Sequence, residues 1–217
     1  MPRPQQPFLA ALLTLLGCGD RFADAAWRTR LAGLLAPGRR ERASPAQAAR
    51  PLAVPLATPW SVLPRLVLEL GADDDQRAVL EEWCDASVQR ATAGGTAAVG
   101  DLSAATAAFL LELWQIAAGR RSPADHAAAV RAQVAAALDD PKLHCLPAED
   151  RQHCWELCVG LHGIFAGFQA AAAGDSTGAS MRLAAQAALA GLLGVPSDEL
   201  AVGPAGFHRH AQEEMSG

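Results

Sequence analysis

Three side chains in the C-terminal half carry the chemistry that this sequence most readily offers. Cys154, Cys158 and His162 follow one another at intervals of four residues, so in a helix they project from neighbouring turns of one face. Thiolate and imidazole are groups that bind zinc in proteins, and a thiol can also act by itself. A metal- or thiol-dependent activity centred on these three residues is therefore one hypothesis for function.

The same cysteines admit two other interpretations. Cys154 and Cys158 continue an apolar stripe with Leu161 and Phe165, and a buried cysteine often behaves as a small hydrophobic residue. In an exported protein, an even set of cysteines favours one or two disulfides. Partners four residues apart in one helix bridge awkwardly, so Cys154 with Cys158 is the least favoured pair. The candidate disulfide cysteines are Cys84, Cys145, Cys154 and Cys158.

Other motifs with catalytic associations lack the context that their chemistry needs. Residues 174–178 read GDSTG, which fits the G-x-S-x-G of serine hydrolases, but that motif works on a strand-to-helix turn. Here the preceding FQAAAA predicts the end of a helix, and the motif is interpreted as a helix stop followed by a helix cap. His208 and His210 are assigned to a polar tail. The sequence predicts no catalytic residue and no cofactor, and solvated helix faces or ends are the interpretation for Glu112, Glu156 and Glu199.

Composition and charge set broad limits on function. Hydrophobic residues make up 51% of the 217 residues and charged residues 19%, with a net charge of -5. Such a chain can bury a core. Nucleic-acid binding needs a cationic face to neutralise phosphates, and the interspersed charges offer none. We therefore expect no nucleic-acid partner.

The opening stretch FLAALLTLLGCGD, residues 8–20, resembles an export signal. A secretory leader joins a basic start, here Arg3, to an apolar run of about 7 to 15 residues and a small-residue cleavage site. Its LLGC is similar to the lipobox of bacterial lipoproteins, whose cysteine is lipidated and becomes the new first residue. The resemblance implies a signal peptide over residues 1–17 and a lipid on Cys18. The protein would then be held by this anchor on the periplasmic side of a bacterial membrane.

Two alternatives to the lipoprotein stay open. Ala23-Asp24-Ala25 is an A-x-A site, and cleavage there would release a soluble periplasmic or secreted protein. The stretch would also suit an uncleaved helix of a cytosolic helical interaction protein. If Cys18 is lipidated, the glycine at position 19 gives, by resemblance to known sorting signals, a lean towards the outer membrane.

Beyond the leader, the sequence carries start and stop signals of helices. Prolines and arginines mark residues 18–58 as a short helix followed by a Pro/Arg-rich linker; the same layout would suit an N-terminal arm docked on the domain. Residues 59–207 carry helical periodicity bounded by caps and glycine stops, and 208–217 read as a polar tail. No convincing alternating strand is found. The predicted fold is all-α, a single bundle of five to six helices, at about 61–70, 73–90, 101–119, 124–138, 147–172 and 177–193.

A resemblance adds to this picture. The order DLSAATAAFLLELWQIAAG, RAQV, RQHCWEL and GDSTGASMRLAAQAALAGLLGVPSDELAVGPAGF resembles a group of bacterial helical domains of unknown function that usually follow a signal sequence. It spans about residues 55–207 and implies export without implying catalytic residues. The leading hypothesis is a non-enzymatic, envelope-tethered domain that binds a protein partner or assists assembly. Four tryptophans are expected to anchor the core, and one or two at a groove would equally suit a partner: Trp60, Trp83, Trp114 and Trp155.

Overall fold

The architecture is taken from a computed structural model, which describes residues 25–35, 52–57, 59–71, 73–93, 99–171 and 176–210. The predicted signal peptide, the lipobox with Cys18 and most of the predicted linker lie outside these ranges. Residues 172–175, which include the start of the GDSTG motif, and residues 211–217 of the predicted tail lie outside them too.

Helices dominate the described residues. They are α1 (Ala25–Ala32), α2 (Leu63–Leu70), α3 (Asp74–Thr92), α4 (Leu102–Ala118), α5 (Ala124–Leu138), α6 (Pro141–His144), α7 (Ala148–Ala171) and α8 (Ser176–Leu193). A 3-10 turn follows α8 at Ser197–Glu199. The predicted helical fold is confirmed in this broad form, although the described chain has more helices than the five to six predicted.

The prediction of a purely helical chain is wrong, because two small antiparallel sheets accompany the helices. One pairs β1 (Ala53–Pro55) with β2 (Val99–Asp101), and the other pairs β3 (Leu200–Gly203) with β4 (Gly206–Arg209). Strands of three or four residues are too short to show an alternating pattern. β4 also includes His208 and Arg209, so regular structure continues into the segment that was predicted as a tail.

The ends of α4 are capped, whereas the start of α5 has no side-chain cap. The Asp101 carboxylate accepts hydrogen bonds from the N–H groups of Ser103 and Ala104 and caps α4. Gly119, with a φ of 66°, takes the left-handed conformation that ends this helix. Before α5, Pro123 occupies the cap position, and no side chain caps the helix.

The hydrophobic core is built around α4, which packs against α5, α7 and α8. Trp114 and Trp155 are almost fully buried, while Trp60 and Trp83 are partly buried and pack against the core. All four tryptophans therefore serve as the core anchors that the sequence predicts. The ring of Trp83 also meets the edge of Phe168 at a centroid distance of 4.9 Å.

The packed unit begins well before residue 59, where the domain was predicted to start. Trp27 and Leu31 of α1 are buried, as are Leu52 and Val54 around β1. The Trp27 indole N–H donates a hydrogen bond of 3.2 Å to the hydroxyl of Thr106, in the buried face of α4. The described parts of the N-terminal region thus belong to the core.

None of the helices in the described ranges combines the length and the apolar character that are needed to cross a lipid bilayer.

Candidate functional site

The three residues of the metal or thiol hypothesis lie on α7, but they contact different helices. The sulfur of Cys158 lies 3.6 Å from the hydroxyl of Thr106 on α4. The Nδ1 atom of His162 lies 3.1 Å from the hydroxyl of Ser87 on α3. Cys154 is buried in the core. The three side chains therefore do not converge on one point.

Burial makes the core cysteines poor nucleophiles and poor metal ligands. It raises the pKa of the Cys84 thiol from 9.0 to about 12, and Asp85 and Glu81 add to the effect. Burial also raises the pKa of Cys158 far above its ordinary value, against a smaller lowering by the hydrogen bond between Cys158 and Thr106. Because these pKa values lie well above 7, both groups stay as thiols at neutral pH. The thiolate, which is the reactive form, is scarce there.

The disulfides proposed from the sequence are not found among the described residues. Cys84, Cys145, Cys154 and Cys158 are all reduced in the structure. Cys145 lies at the surface after α6, whereas the other three are buried. Cys84 approaches the carbonyl of Gly160 at 3.9 Å, so its sulfur packs against the backbone of α7.

The other candidate motifs, which are the metal ligands, the histidines near the C-terminus and GDSTG, do not form a site among the described residues either. Within the described ranges, no three His, Cys, Asp or Glu side chains come together in a way that could hold a metal ion. His208 lies in β4 next to the carbonyl of Gly206, and His210 is exposed after that strand. α7, which is helical up to Ala171, precedes the GDSTG motif, and Ser176 is the first residue of α8. The strand that a nucleophile elbow requires is therefore replaced by a helix.

The structure instead reveals a surface cleft along α4, with a volume of about 390 Å³. Its floor is the outward face of α4, where Ala104 and Ala108 are exposed and Leu111 is half-buried. Residues of α3 and α7 form a wall beside α4, and Arg131 of α5 also lines the cleft. We call this feature the α4 cleft. It is within the size range of pockets that bind small molecules or a few side chains of a partner.

The cleft exists because α4 carries alanines where a surface helix would usually carry long polar side chains. Small side chains at positions 104 and 108 leave the helix backbone close to the surface. The adjoining wall is formed by two helices in close contact: a Cβ atom added at Gly163 of α7 would lie only 2.5 Å from the carbonyl oxygen of Trp83 on α3. The absence of that Cβ lets α3 and α7 approach each other beside α4.

The wall of the cleft holds a hydrogen-bonded pair, His162 and Ser87. Burial lowers the pKa of His162 from 6.5 to about 4, and the charge of Arg90 adds to the lowering. The imidazole is consequently neutral at neutral pH and a weak base there. Ser87 lies inside α3, where backbone N–H groups are engaged in the helix, so the residues of α3 around it provide no oxyanion hole. Among the described residues, the pair serves to join two helices.

Charged side chains of both signs line the cleft: Asp101 and Glu112 are acidic, and Arg90 and Arg131 are basic. Burial raises the pKa of the Glu112 carboxyl, and Arg121 and Arg90 partly offset this. Arg90 on α3 and Arg131 on α5 are exposed, and neither forms an ion pair with a described residue. Glu112 was expected to be solvated, but it is half-buried in the cleft. The cleft therefore combines an apolar floor with charged groups of both signs.

A second acid departs further from expectation. Glu156 is completely buried, not solvated. One of its carboxylate oxygens accepts hydrogen bonds from the backbone N–H groups of Ser61, Val62 and Leu63, at 3.0, 2.7 and 3.3 Å. The other accepts one from the amide of Gln152 at 2.8 Å. Because α2 has no capping side chain of its own, Glu156 from α7 satisfies the free N–H groups at its start.

Two glutamines each bind both backbone polar groups of one residue in a distant segment of the chain. The side-chain amide of Gln152 donates to the carbonyl of Ala57 and accepts from its N–H, at 2.7 and 3.0 Å. Gln133 of α5 makes the same pair of bonds with Phe207, at 2.9 and 2.7 Å. Each glutamine side chain therefore makes the two hydrogen bonds that a neighbouring strand would make with that residue. Both glutamines have a structural role.

The α4 cleft was not identified from the sequence. The signal available was the row of alanines on one face of α4, but a row of small residues predicts close helix packing as readily as an open floor. Which of the two holds depends on whether another helix covers that face, and this is a property of the tertiary arrangement.

No protein-family model, no curated protein and no solved structure matches this chain. The resemblance to exported bacterial helical domains therefore stays an expectation from the sequence.

Proposed function

We propose that this protein is a non-enzymatic helical domain, tethered to the cell envelope through Cys18, that binds a segment of a protein partner in the α4 cleft. The cleft is the observation that carries the proposal. Exposed alanines on α4 allow a partner backbone to approach closely, as in complexes in which a peptide lies in a helical groove.

The charged groups around the floor support a protein segment as the ligand. Arg90 on α3 and Arg131 on α5 line the cleft and are exposed. They offer cationic groups to carboxylates of a partner, and the half-buried carboxyl of Glu112, which also lines the cleft, offers an acceptor. A polar rim around an apolar centre is the arrangement found at protein interfaces.

A binding role also agrees better with the chemistry of the site than the alternative of a metal- or thiol-dependent activity. Cys158 and His162 contact Thr106 and Ser87 on two different helices. The pKa of the buried Cys158 thiol is raised, which keeps it protonated. The site therefore supplies surfaces for contact and no activated nucleophile.

Site-specific photocrosslinking tests the binding role. A photoreactive amino acid at Ala108, on the floor, is compared with the same residue at Ala187, an exposed position of α8 outside the cleft. In cells of the native host, the chain with the photoreactive residue at position 108 is expected to crosslink reproducibly to one envelope protein. The chain with that residue at position 187 is not expected to crosslink to it. Ala108→Trp should abolish co-purification of that protein, and Ala187→Trp should not. Equal crosslinking at both positions would contradict a binding role for the cleft.

The tether has its own test. The intact mass of the full chain extracted from bacterial membranes should correspond to a chain that begins at Cys18 and carries acyl chains. A mass that begins at residue 1 without lipid would favour the cytosolic interaction protein. A lipid-free mass beginning after the Ala23-Asp24-Ala25 site would favour the released form.

A further inference from the structure

We infer that the α4 cleft faces away from the membrane that holds the Cys18 anchor. The inference rests on the proposed tether, and it adds an orientation that the tether alone does not give. Three observations carry it: the position of α1, the direction of the cleft, and the length of chain between Cys18 and α1.

The element nearest to the anchor lies behind α4. Trp27, in the first turn of α1, donates its indole N–H to Thr106 of α4. The ion pair between Arg30 and Asp140, just after α5, holds the same helix. Both Trp27 and Thr106 are buried. The start of α1 is therefore fixed on the side of α4 to which Thr106 points.

The cleft lies on the opposite side of the same helix. Ala104 and Ala108 form its floor, and each is two residues away from Thr106. Consecutive residues of an α-helix are rotated by about 100°, so Thr106 lies about 160° around the axis from each alanine. Helix geometry thus places the contact with Trp27 and the centre of the cleft floor on nearly opposite sides of α4.

The chain between anchor and domain is too short to reverse this orientation. Seven residues lead from Cys18 to Ala25, where α1 begins, and they span at most about 25 Å. A compact domain of the size that the described residues form is about 40 Å across, which makes its half circumference about 60 Å. For the cleft to lie against the membrane, the tether would have to reach around that half circumference. It covers less than half of the distance.

The consequence is an accessible binding site. A cleft directed away from its own membrane is open to proteins of the aqueous space or of an opposite membrane. Lipids of the anchoring leaflet and proteins buried in it are out of its reach. The partner of the cleft is therefore expected to present its segment above the membrane surface.

Distance from the lipid headgroups gives a direct test. The lipidated full chain, with Cys145→Ser to remove the exposed thiol, is placed in vesicles of phosphatidylethanolamine, phosphatidylglycerol and a nickel-chelating lipid. A nitroxide is attached at Ala32→Cys on α1 or at Ala108→Cys in the cleft. Both positions are exposed alanines in helices, so they form a matched pair. Nickel relaxation of the nitroxide should be several-fold stronger at residue 32 than at residue 108.

A lengthened tether serves as the control. Insertion of about twenty Gly and Ser residues between Asp20 and Arg21 extends the reach to roughly 90 Å, which exceeds the half circumference. The difference between the two labels should then shrink. Equal relaxation at residues 32 and 108 in the lipidated chain of natural length would overturn the orientation but leave the tether standing. An intact mass without lipid on Cys18 would instead overturn the tether, and the orientation with it.

Discussion

The buried carboxylate of Glu156 accepts a hydrogen bond of 2.7 Å from the backbone N–H of Val62, 94 residues earlier in the chain. Through this contact, α7 caps the first turn of α2, whose own sequence provides no cap. A carboxylate at a helix N-terminus also faces the positive end of the helix dipole. The contact holds the segment between β1 and α2 against α7.

Glu156→Ala is expected to lower the free energy of unfolding by about 3 kcal/mol or more, because it leaves buried N–H donors without an acceptor. Urea unfolding followed by circular dichroism measures the change. Glu69→Ala is the matched control, since Glu69 is an exposed glutamate of α2 that pairs with Arg65 on the surface; its effect should stay within about 0.5 kcal/mol. Similar losses in both variants would contradict the buried cap.

Two glycines in helices should respond in opposite directions to replacement by alanine. In Gly163→Ala the new methyl group would meet the carbonyl oxygen of Trp83 at 2.5 Å, and backbone cannot move aside cheaply. We expect a loss of about 1–3 kcal/mol in the free energy of unfolding. Gly191 has open space around it, so Gly191→Ala should gain about 0.5–1 kcal/mol from helix propensity. Thermal unfolding of both variants is the measurement, and a stabilised Gly163→Ala protein would refute the close contact of α3 with α7.

Acid should weaken the fold through His162. Its pKa is lowered to about 4 in the folded chain and is 6.5 without burial. Between these values the unfolded chain binds the proton and the folded chain does not, so stability falls as the pH drops from 6.5 towards 4. Above pH 6.5 this contribution is fully present. In His162→Asn, which keeps a polar group near Ser87, the stability lost between pH 7 and pH 5 should be smaller.

Nuclear magnetic resonance gives the direct readout for this histidine. The imidazole signal of His162 should titrate with a midpoint near pH 4 in the folded protein. A midpoint at 6.5 or higher would show that the ring is solvated, and it would remove the physical basis for the pH effect.

Thiol labelling should separate the cysteines by burial. Cys145 is exposed, whereas Cys84 and Cys158 are buried and have raised pKa values. N-ethylmaleimide at pH 7 is expected to modify Cys145 within minutes and to leave the two buried thiols intact until urea unfolds the chain. Peptide mass mapping identifies the modified positions. Modification of Cys158 as fast as that of Cys145 in the folded protein would restore the thiol hypothesis.

Local signals predicted the helices well because the physics that ends a helix is local. The caps at Asp101 and Gly119 follow from side-chain oxygens and left-handed backbone, both of which depend on neighbouring residues only. The four tryptophans were placed in the core for a similar reason, since a large apolar side chain is costly to leave in water. The strands β1 and β2 gave no local signal, because they gain their hydrogen bonds from each other across more than forty residues.

The sequence by itself determined the helical character of this protein, most of its helix boundaries and the aromatic residues of its core, because propensity, capping and hydrophobic burial act on short stretches of chain. Only the tertiary structure decided that Glu156 is a buried cap and that Cys158 and His162 contact different helices. It alone also decided that the alanines of α4 form an open floor, with α1 behind them. These features depend on which elements cover which faces, and the packing of the whole chain sets that arrangement.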